Sequence, residues 1–134
     1  MSGYPVLMHT AIDATDVRGL AEFYREFLGL RYRPGDEPPA VSDWLVLVGG
    51  DGRRVLAFQE VPALARSTWP SHDVPKQMHH DYRVPTVDEL ERHRRRAEEL
   101  GATVLLDRTK DEEEPLYVLA DPARHPFCIL VGQD

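Results

Sequence analysis

One stretch of eight residues organises the chain: Gln77-Met78-His79-His80-Asp81-Tyr82-Arg83-Val84. In a β-strand, successive side chains point to opposite faces. Alternation along this stretch places Met78 and His80 on one face, together with Tyr82 and Val84. The other face carries only polar side chains, including His79 and Asp81. The pattern predicts a strand with one face toward a core and one face toward polar chemistry.

A similar stretch lies about half a chain earlier, Leu7-Met8-His9-Thr10-Ala11-Ile12-Asp13. The dipeptide Met-His occurs in both stretches, at residues 8–9 and 78–79. Alternation in the earlier copy places His9 on one side with Leu7, Ala11 and Asp13, and places Met8 and Ile12 on the core side. This spacing is typical of a tandem duplication.

A helical pattern follows each copy. In the first half, apolar residues recur at the i, i+3, i+4 spacing of an amphipathic helix between a predicted N-cap at Asp16 and a stop at Gly29. In the second half, residues 86–89 read Thr-Val-Asp-Glu, which has the form of a capping box, and Leu100-Gly101 ends the helix.

Three strand-like runs follow each helix. They are Leu30–Arg33, Trp44–Val48 and Val55–Val61, and then Ala102–Asp107, Leu116–Ala120 and Phe127–Val131. Both halves therefore have the order β-α-β-β-β. We expect one α+β domain over residues 1–134, with module one at about 5–62, a linker at 63–75 and module two at about 76–134. A ferredoxin-like β-α-β-β-α-β domain is less attractive because it leaves two of the runs unused.

Composition and charge narrow the function classes. The chain is 42% hydrophobic and 29% charged, which is ordinary for a soluble globular domain. The absence of a long apolar run and of a signal-peptide pattern predicts a cytoplasmic protein without a membrane partner. A net charge of −7 argues against a nucleic-acid partner and suits a cationic small molecule. The single cysteine, Cys128, excludes an internal disulfide.

Several passages carry a family resemblance. They are His9 with Asp16 and Phe23-Tyr24, Leu28-Gly29-Leu30, Trp69-Pro70 with Gln77-Met78-His79, Leu100-Gly101-Ala102, and Asp121-Pro122 with Pro126-Phe127-Cys128. Together they resemble the vicinal oxygen chelate superfamily of glyoxalase I, bleomycin-resistance proteins, fosfomycin-resistance transferases and extradiol dioxygenases, and above all its glyoxalase-like domain proteins. The resemblance implies two tandem β-α-β-β-β modules whose curved mixed sheet forms a cup, usually within a homodimer.

The resemblance also implies a metal site. In metal-dependent members of the superfamily, the first and last strand of each module supply ligands to one divalent ion. By position, His9 and His79 match the first-strand ligands. The last-strand ligands are normally carboxylates, but the matching positions here are Ala57 or Gln59 in module one and Cys128 in module two. The missing carboxylates disfavour standard glyoxalase I activity and ions that require anionic oxygen.

Two other sets of ligands are able to hold an ion. His9 and His79 with an ionised Cys128 suit Zn²⁺, and Asp13 or Asp81 can reach in from one pleat repeat away. The expected cofactor is therefore one divalent ion, Zn²⁺, Mn²⁺, Fe²⁺ or Ni²⁺, or none. Without an ion, the two histidines hydrogen-bond neighbouring residues of the cup or contact a ligand directly.

The residues expected to contact a ligand are Gln59, Asp81, Cys128, Trp44 and Tyr117. All of them except Gln59 have an alternative role: Asp81 is a general base or a partner of Arg83, Cys128 packs as a small hydrophobe, and the two aromatic residues belong to the core. Trp69 in the linker is either a lid over the site or a packing residue. The sequence assigns no catalytic residue.

Two functions follow. The first is an enzyme, a metal-assisted lyase, isomerase or dioxygenase that acts on a small oxygen-rich molecule. The second is a metal-free protein that binds a drug or metabolite unchanged, in the manner of bleomycin-resistance proteins.

Overall fold

The computed structural model describes residues 3–132. The chain consists of two compact units, Met1–Leu64 and Ala65–Asp134, which we call unit one and unit two. Within residues 3–132, the order β-α-β-β-β occurs twice, so the predicted fold of two tandem modules is confirmed. No helix in this part of the chain has the length and apolar character needed to cross a membrane.

Unit one contains a four-stranded mixed sheet and one helix. Its elements are β1 Thr10–Ala14, α1 Val17–Leu28, β2 Arg31–Tyr32, β3 Trp44–Val48 and β4 Arg54–Glu60. The strand order is β1-β4-β3-β2, in which β1 runs parallel to β4 and the other neighbours are antiparallel.

The ends of α1 form as the sequence predicts. The Asp16 carboxylate accepts a hydrogen bond of 2.9 Å from the Gly19 backbone N–H, which satisfies one of the free donors at the helix start. Gly29 closes the helix with a φ of 67°, a left-handed conformation that glycine adopts without steric cost. The apolar face of α1 packs on the sheet, where Tyr24 stacks on Phe58 with a centroid distance of 5.9 Å.

Unit two repeats this arrangement. Its elements are β5 Asp81–Val84, α2 Val87–Glu99, β6 Thr103–Arg108, β7 Leu116–Ala120 and β8 Pro126–Val131. The strand order is β5-β8-β7-β6, with β5 parallel to β8.

Helix α2 has a largely polar surface. Thr86 is the N-cap and accepts from the Glu89 N–H at 3.1 Å, but the Glu89 carboxylate pairs with Arg92 at 2.6 Å instead of returning to Thr86. Only the first half of the predicted capping box is therefore present. Two residues of the helix are buried, Leu90 and Ala97. Arg92 and Arg95 on the outer side of the helix are exposed, whereas Arg94 lies over the Tyr117 ring.

Tight turns connect β3 to β4 and β7 to β8. The Gly49 N–H donates to the Arg53 carbonyl at 2.9 Å, which closes the β3–β4 hairpin. The Asp121 N–H donates to the His125 carbonyl at 2.9 Å. The buried Asp121 carboxylate also accepts from the Ala123 and His125 N–H groups, at 2.9 and 3.0 Å. This buried, turn-stabilising role of Asp121 was not predicted from the sequence.

The leading strands are shorter than predicted. Strand β1 begins at Thr10 and β5 at Asp81, where pairing with β4 and β8 begins. The predicted core positions of Met8 and Met78 are wrong, because these residues are 62% and 80% exposed. Each precedes its strand, so no neighbouring strand lies beside it to fix a core-facing side.

Candidate metal centre in unit two

The parallel pairing of β5 with β8 brings three of the predicted site residues together. Asp81 pairs in register with Cys128. His79 lies two residues before Asp81, and its Nε2 is 3.3 Å from Asp81 Oδ1. The nitrogen, carboxylate and sulfur ligand atoms of the three residues all lie within 4.8 Å of one another. We call these residues the His79–Asp81–Cys128 cluster.

Alternation along the two strands separates this cluster from the helix-covered face. Tyr82 pairs with Ile129, the residue after Cys128, and both belong to the face that packs under α2. His80 contacts this second face, because its Nδ1 lies 3.1 Å from the Tyr82 hydroxyl. His79 and His80 therefore contribute to different faces, and only His79 reaches Asp81.

The half-buried thiol of Cys128 is protonated at neutral pH. Burial raises its pKa to about 11, and the Asp81 carboxylate acts in the same direction through its negative charge and a hydrogen bond. The Lys76 ammonium acts in the opposite direction, with a smaller effect. A metal ion that binds Cys128 must therefore displace a proton.

We expect Cys128 in the metal-free protein to react slowly with iodoacetamide. The reactive form is the thiolate, and a pKa raised from 9.0 to about 11 leaves about 100-fold less of it than in a free cysteine at neutral pH. Because Cys128 is the only cysteine, mass spectrometry of the intact chain follows the reaction directly. Alkylation as fast as that of free cysteine would contradict a raised pKa for the half-buried Cys128 thiol.

The donor atoms of the cluster match zinc. Imidazole nitrogen, thiolate sulfur and carboxylate oxygen are the groups that bind Zn²⁺ in proteins, whereas Mg²⁺ and Ca²⁺ require oxygen ligands. Ligand atoms at zinc bond lengths stand about 3.5 Å apart, against a largest separation of 4.8 Å here. The side chains of His79 and Asp81 are 34% and 56% exposed, so they have room to close this difference by rotation.

His9 precedes β1 in unit one, as His79 precedes β5. Its ring lies 5.7 Å from the Trp44 ring, at an interplanar angle of 56°. Its Nδ1 is buried and has no hydrogen-bond partner among residues 3–132. Buried polar atoms usually have a partner, so this nitrogen is available to water, a ligand or an ion. The assignment of His9 as a metal ligand stays a prediction.

The other predicted contact residues are distributed over both units. Trp44 pairs with Gln59 across β3 and β4, and Trp44 packs on the buried cluster that contains Ala57. Tyr117 faces α2, because its hydroxyl donates to Glu91 at 2.6 Å. The face that carries Cys128 is the opposite one, so the structure does not bring Tyr117 to the His79–Asp81–Cys128 cluster.

A cavity of about 480 Å³ in unit one contains none of the predicted site residues. It lies between the start of α1 and residues 38–42. Arg18 lines it and donates to the Asp36 and Ala40 carbonyls, at 2.7 and 2.6 Å. These hydrogen bonds fix the loop to the helix and give the arginine a structural role.

Lys76 is a site residue that was not predicted from the sequence. Its ammonium lies 4.7 Å from the centroid of the Trp69 ring, and it influences the pKa of Cys128. The sequence indicated its proximity to the site in one way: Lys76 lies three residues before His79, in a segment without regular periodicity.

The fold, with its two repeated β-α-β-β-β modules, is that of the vicinal oxygen chelate class. The family model described as "Glyoxalase-like domain" matches residues 9–130. The chain therefore belongs to the glyoxalase-like domain family. No curated protein matches the chain.

Solved structures share the fold at low sequence identity. A fosfomycin resistance protein from Mesorhizobium loti is 18% identical, with a TM-score of 0.68 over 97% of this chain and 94% of that one. The fosfomycin resistance protein from Listeria monocytogenes is 15% identical, with a TM-score of 0.70 over 97% and 95%. A glyoxalase/bleomycin resistance protein/dioxygenase family enzyme from Burkholderia phytofirmans is 16% identical, with a TM-score of 0.68 over 92% and 96%. These likenesses concern the fold alone.

Proposed function

We propose that the chain binds one Zn²⁺ through His79, Asp81 and Cys128 and uses it to bind and activate a small oxygen-rich molecule. The observation that carries this proposal is the convergence of three zinc-type donors within 4.8 Å, on two paired strands. Hard ions would need carboxylates on the last strands, which this chain lacks. Zn²⁺ also accepts nitrogen and sulfur ligands, so it does not need them.

The proposed chemistry is that of a lyase or isomerase. Three protein ligands leave a coordination position for an oxygen atom of the guest, and bound zinc polarises that oxygen as a Lewis acid. Zinc has no redox chemistry, which places a dioxygenase reaction second. The exposed Asp81 carboxylate has a second oxygen, which can hold or accept a proton from the bound molecule.

A second candidate function is metal-free binding of a drug or metabolite. The protonated state of Cys128 favours this function, because a thiol binds metal ions poorly. Without a metal, the cluster can hydrogen-bond a guest through the His79 ring, the Asp81 carboxylate and the Cys128 thiol. Two of the fold neighbours are named as fosfomycin resistance proteins. Fosfomycin therefore belongs in a binding screen beside cationic, bleomycin-like compounds. The expected pairing of two chains into a homodimer stays a prediction.

We expect the zinc affinity of the protein to rise with pH. Binding displaces the proton of Cys128, whose pKa is about 11. Below that pKa, the thiolate fraction and the affinity increase about tenfold for each pH unit. Calorimetric titrations at several pH values between about 7 and 9, in buffers of different ionisation enthalpy, measure both the affinity and the released proton.

The control for this titration is Cys128→Ser, which should bind zinc more weakly and lose the steep pH dependence. Failure of the wild-type protein to bind zinc at any of these pH values would contradict the proposal. Thermal stabilisation of that metal-free protein by a compound in the screen would then favour the second candidate.

A further inference from the structure

We propose that Lys76, supported by the ring of Trp69, is an anion-binding residue that selects small carboxylic acids for the site beside His79, Asp81 and Cys128. The inference rests on the proposed function for the location of the guest. It adds the chemical class of that guest and a residue that determines specificity.

The segment before β5 is an ordered loop. The Thr68 N–H donates to the Val74 carbonyl at 2.8 Å, and the Val74 N–H donates back to Thr68 Oγ1 at 2.9 Å. The Ser67 hydroxyl also donates to the Val74 carbonyl, at 3.1 Å. These bonds join the two ends of the loop, as in compact surface loops that often carry function. Trp69 lies inside the loop and is partly buried.

A tight turn connects this loop to His79. The Met78 N–H donates to the Lys76 carbonyl at 2.6 Å, and Gln77 between them has a φ of 55°. A hydrogen bond from residue i+2 to residue i around a positive φ is the rare form of the γ-turn. Non-glycine residues with such backbone angles occur preferentially at functional sites. The turn keeps Lys76 close to the cluster, because three residues span at most about 10 Å of chain.

The Trp69 ring holds the ammonium group of Lys76 in place without cancelling its positive charge. It lies over the Trp69 ring at 4.7 Å, and Lys76 forms no ion pair with a carboxylate among residues 3–132. A cation over an aromatic face keeps its positive charge and N–H donors. The turn at Gln77 joins Lys76 directly to His79 of the cluster, so this charged residue belongs to the surroundings of the same site.

A carboxylate fits this arrangement better than a cation does. One of its oxygens accepts a charge-assisted hydrogen bond from Lys76, and a neighbouring oxygen of the same molecule is available to the metal. The net charge of −7 favours cationic guests at long range. Salt screens those distant charges beyond about 10 Å, so a carboxylate at the site is attracted by the Lys76 ammonium and by the proposed Zn²⁺, which offsets the Asp81 charge.

The test compares mandelate with its neutral amide, mandelamide, which has the same shape and the same neighbouring hydroxyl. Every arm uses a Trp44→Phe background, so that Trp69 is the only tryptophan and its fluorescence reports binding. The chain has two lysines, so Lys110→Met in an exposed turn is the matched control for Lys76→Met. Circular dichroism and thermal melting verify that each variant is folded.

We expect mandelate to bind the zinc-loaded protein more tightly than mandelamide. Lys76→Met should weaken mandelate binding about tenfold, as expected for a hydrogen bond to a charged group, and should leave mandelamide unchanged. Lys110→Met should change neither. Equal mandelate affinities in Lys76→Met and Lys110→Met, or no preference for mandelate over the amide in either metal state, would overturn the inference.

The same titrations without zinc separate the two proposals. A mandelate preference that depends on Lys76 in a protein unable to bind zinc supports the inference and defeats the proposed function. If the protein binds zinc but its mandelate affinity does not depend on Lys76, the proposed function is supported and the inference about Lys76 is overturned.

Discussion

Replacement of His79 by alanine is expected to weaken zinc binding by more than about 100-fold. The imidazole is one of three protein donors in the His79–Asp81–Cys128 cluster, and even partners of a metal ligand contribute about 10–100-fold to metal affinity. Competition with a chromophoric zinc chelator measures the affinities of the wild-type and variant proteins on one scale.

The neighbouring histidine provides the matched control. His80 contacts Tyr82 on the helix-covered face, so His80→Ala should change zinc affinity by less than about threefold. It should instead lower stability, because it removes one hydrogen bond from a partly buried tyrosine hydroxyl. A larger loss of zinc binding in His80→Ala than in His79→Ala would show that the two faces have been assigned incorrectly.

The second large effect is expected from Phe58→Ala, which should lower the free energy of unfolding by about 3–5 kcal/mol. Phe58 is fully buried in β4 and stacks on Tyr24 of α1, so its removal leaves a cavity between helix and sheet. Val55 lies on the same strand and is 38% exposed. Val55→Ala should cost less than about 1 kcal/mol. Urea unfolding followed by circular dichroism measures both values, and equal losses would contradict the proposed core.

The duplication made the fold predictable from the sequence. The predicted runs Trp44–Val48 and Leu116–Ala120 coincide with β3 and β7. Both are almost wholly apolar and are bounded by polar or breaker residues, so local composition defines their limits. The caps of α1 at Asp16 and Gly29 are local as well, since each depends on residues within four positions.

Strand starts and the cluster depend on pairing between distant residues. The sequence shows the Met-His dipeptides, but it does not show that β5 begins only at Asp81. His79, Asp81 and Cys128 were all predicted as site residues, but the sequence does not give the distances between them. Their proximity follows from the register between Asp81 and Cys128, which joins residues far apart in the chain. The position of the Lys76 ammonium depends on the positive φ of Gln77, and no pattern in the sequence signals that backbone conformation.

Cobalt substitution tests the proposed metal centre most directly. Co²⁺ occupies zinc sites, and a bound thiolate gives a sulfur-to-cobalt charge-transfer band in the near ultraviolet. We expect this band to saturate at one Co²⁺ per chain in the wild-type protein, to be absent in Cys128→Ser and to disappear when Zn²⁺ displaces the Co²⁺. A wild-type protein that binds Co²⁺ without this band, or does not bind it, would contradict a metal centre built on Cys128.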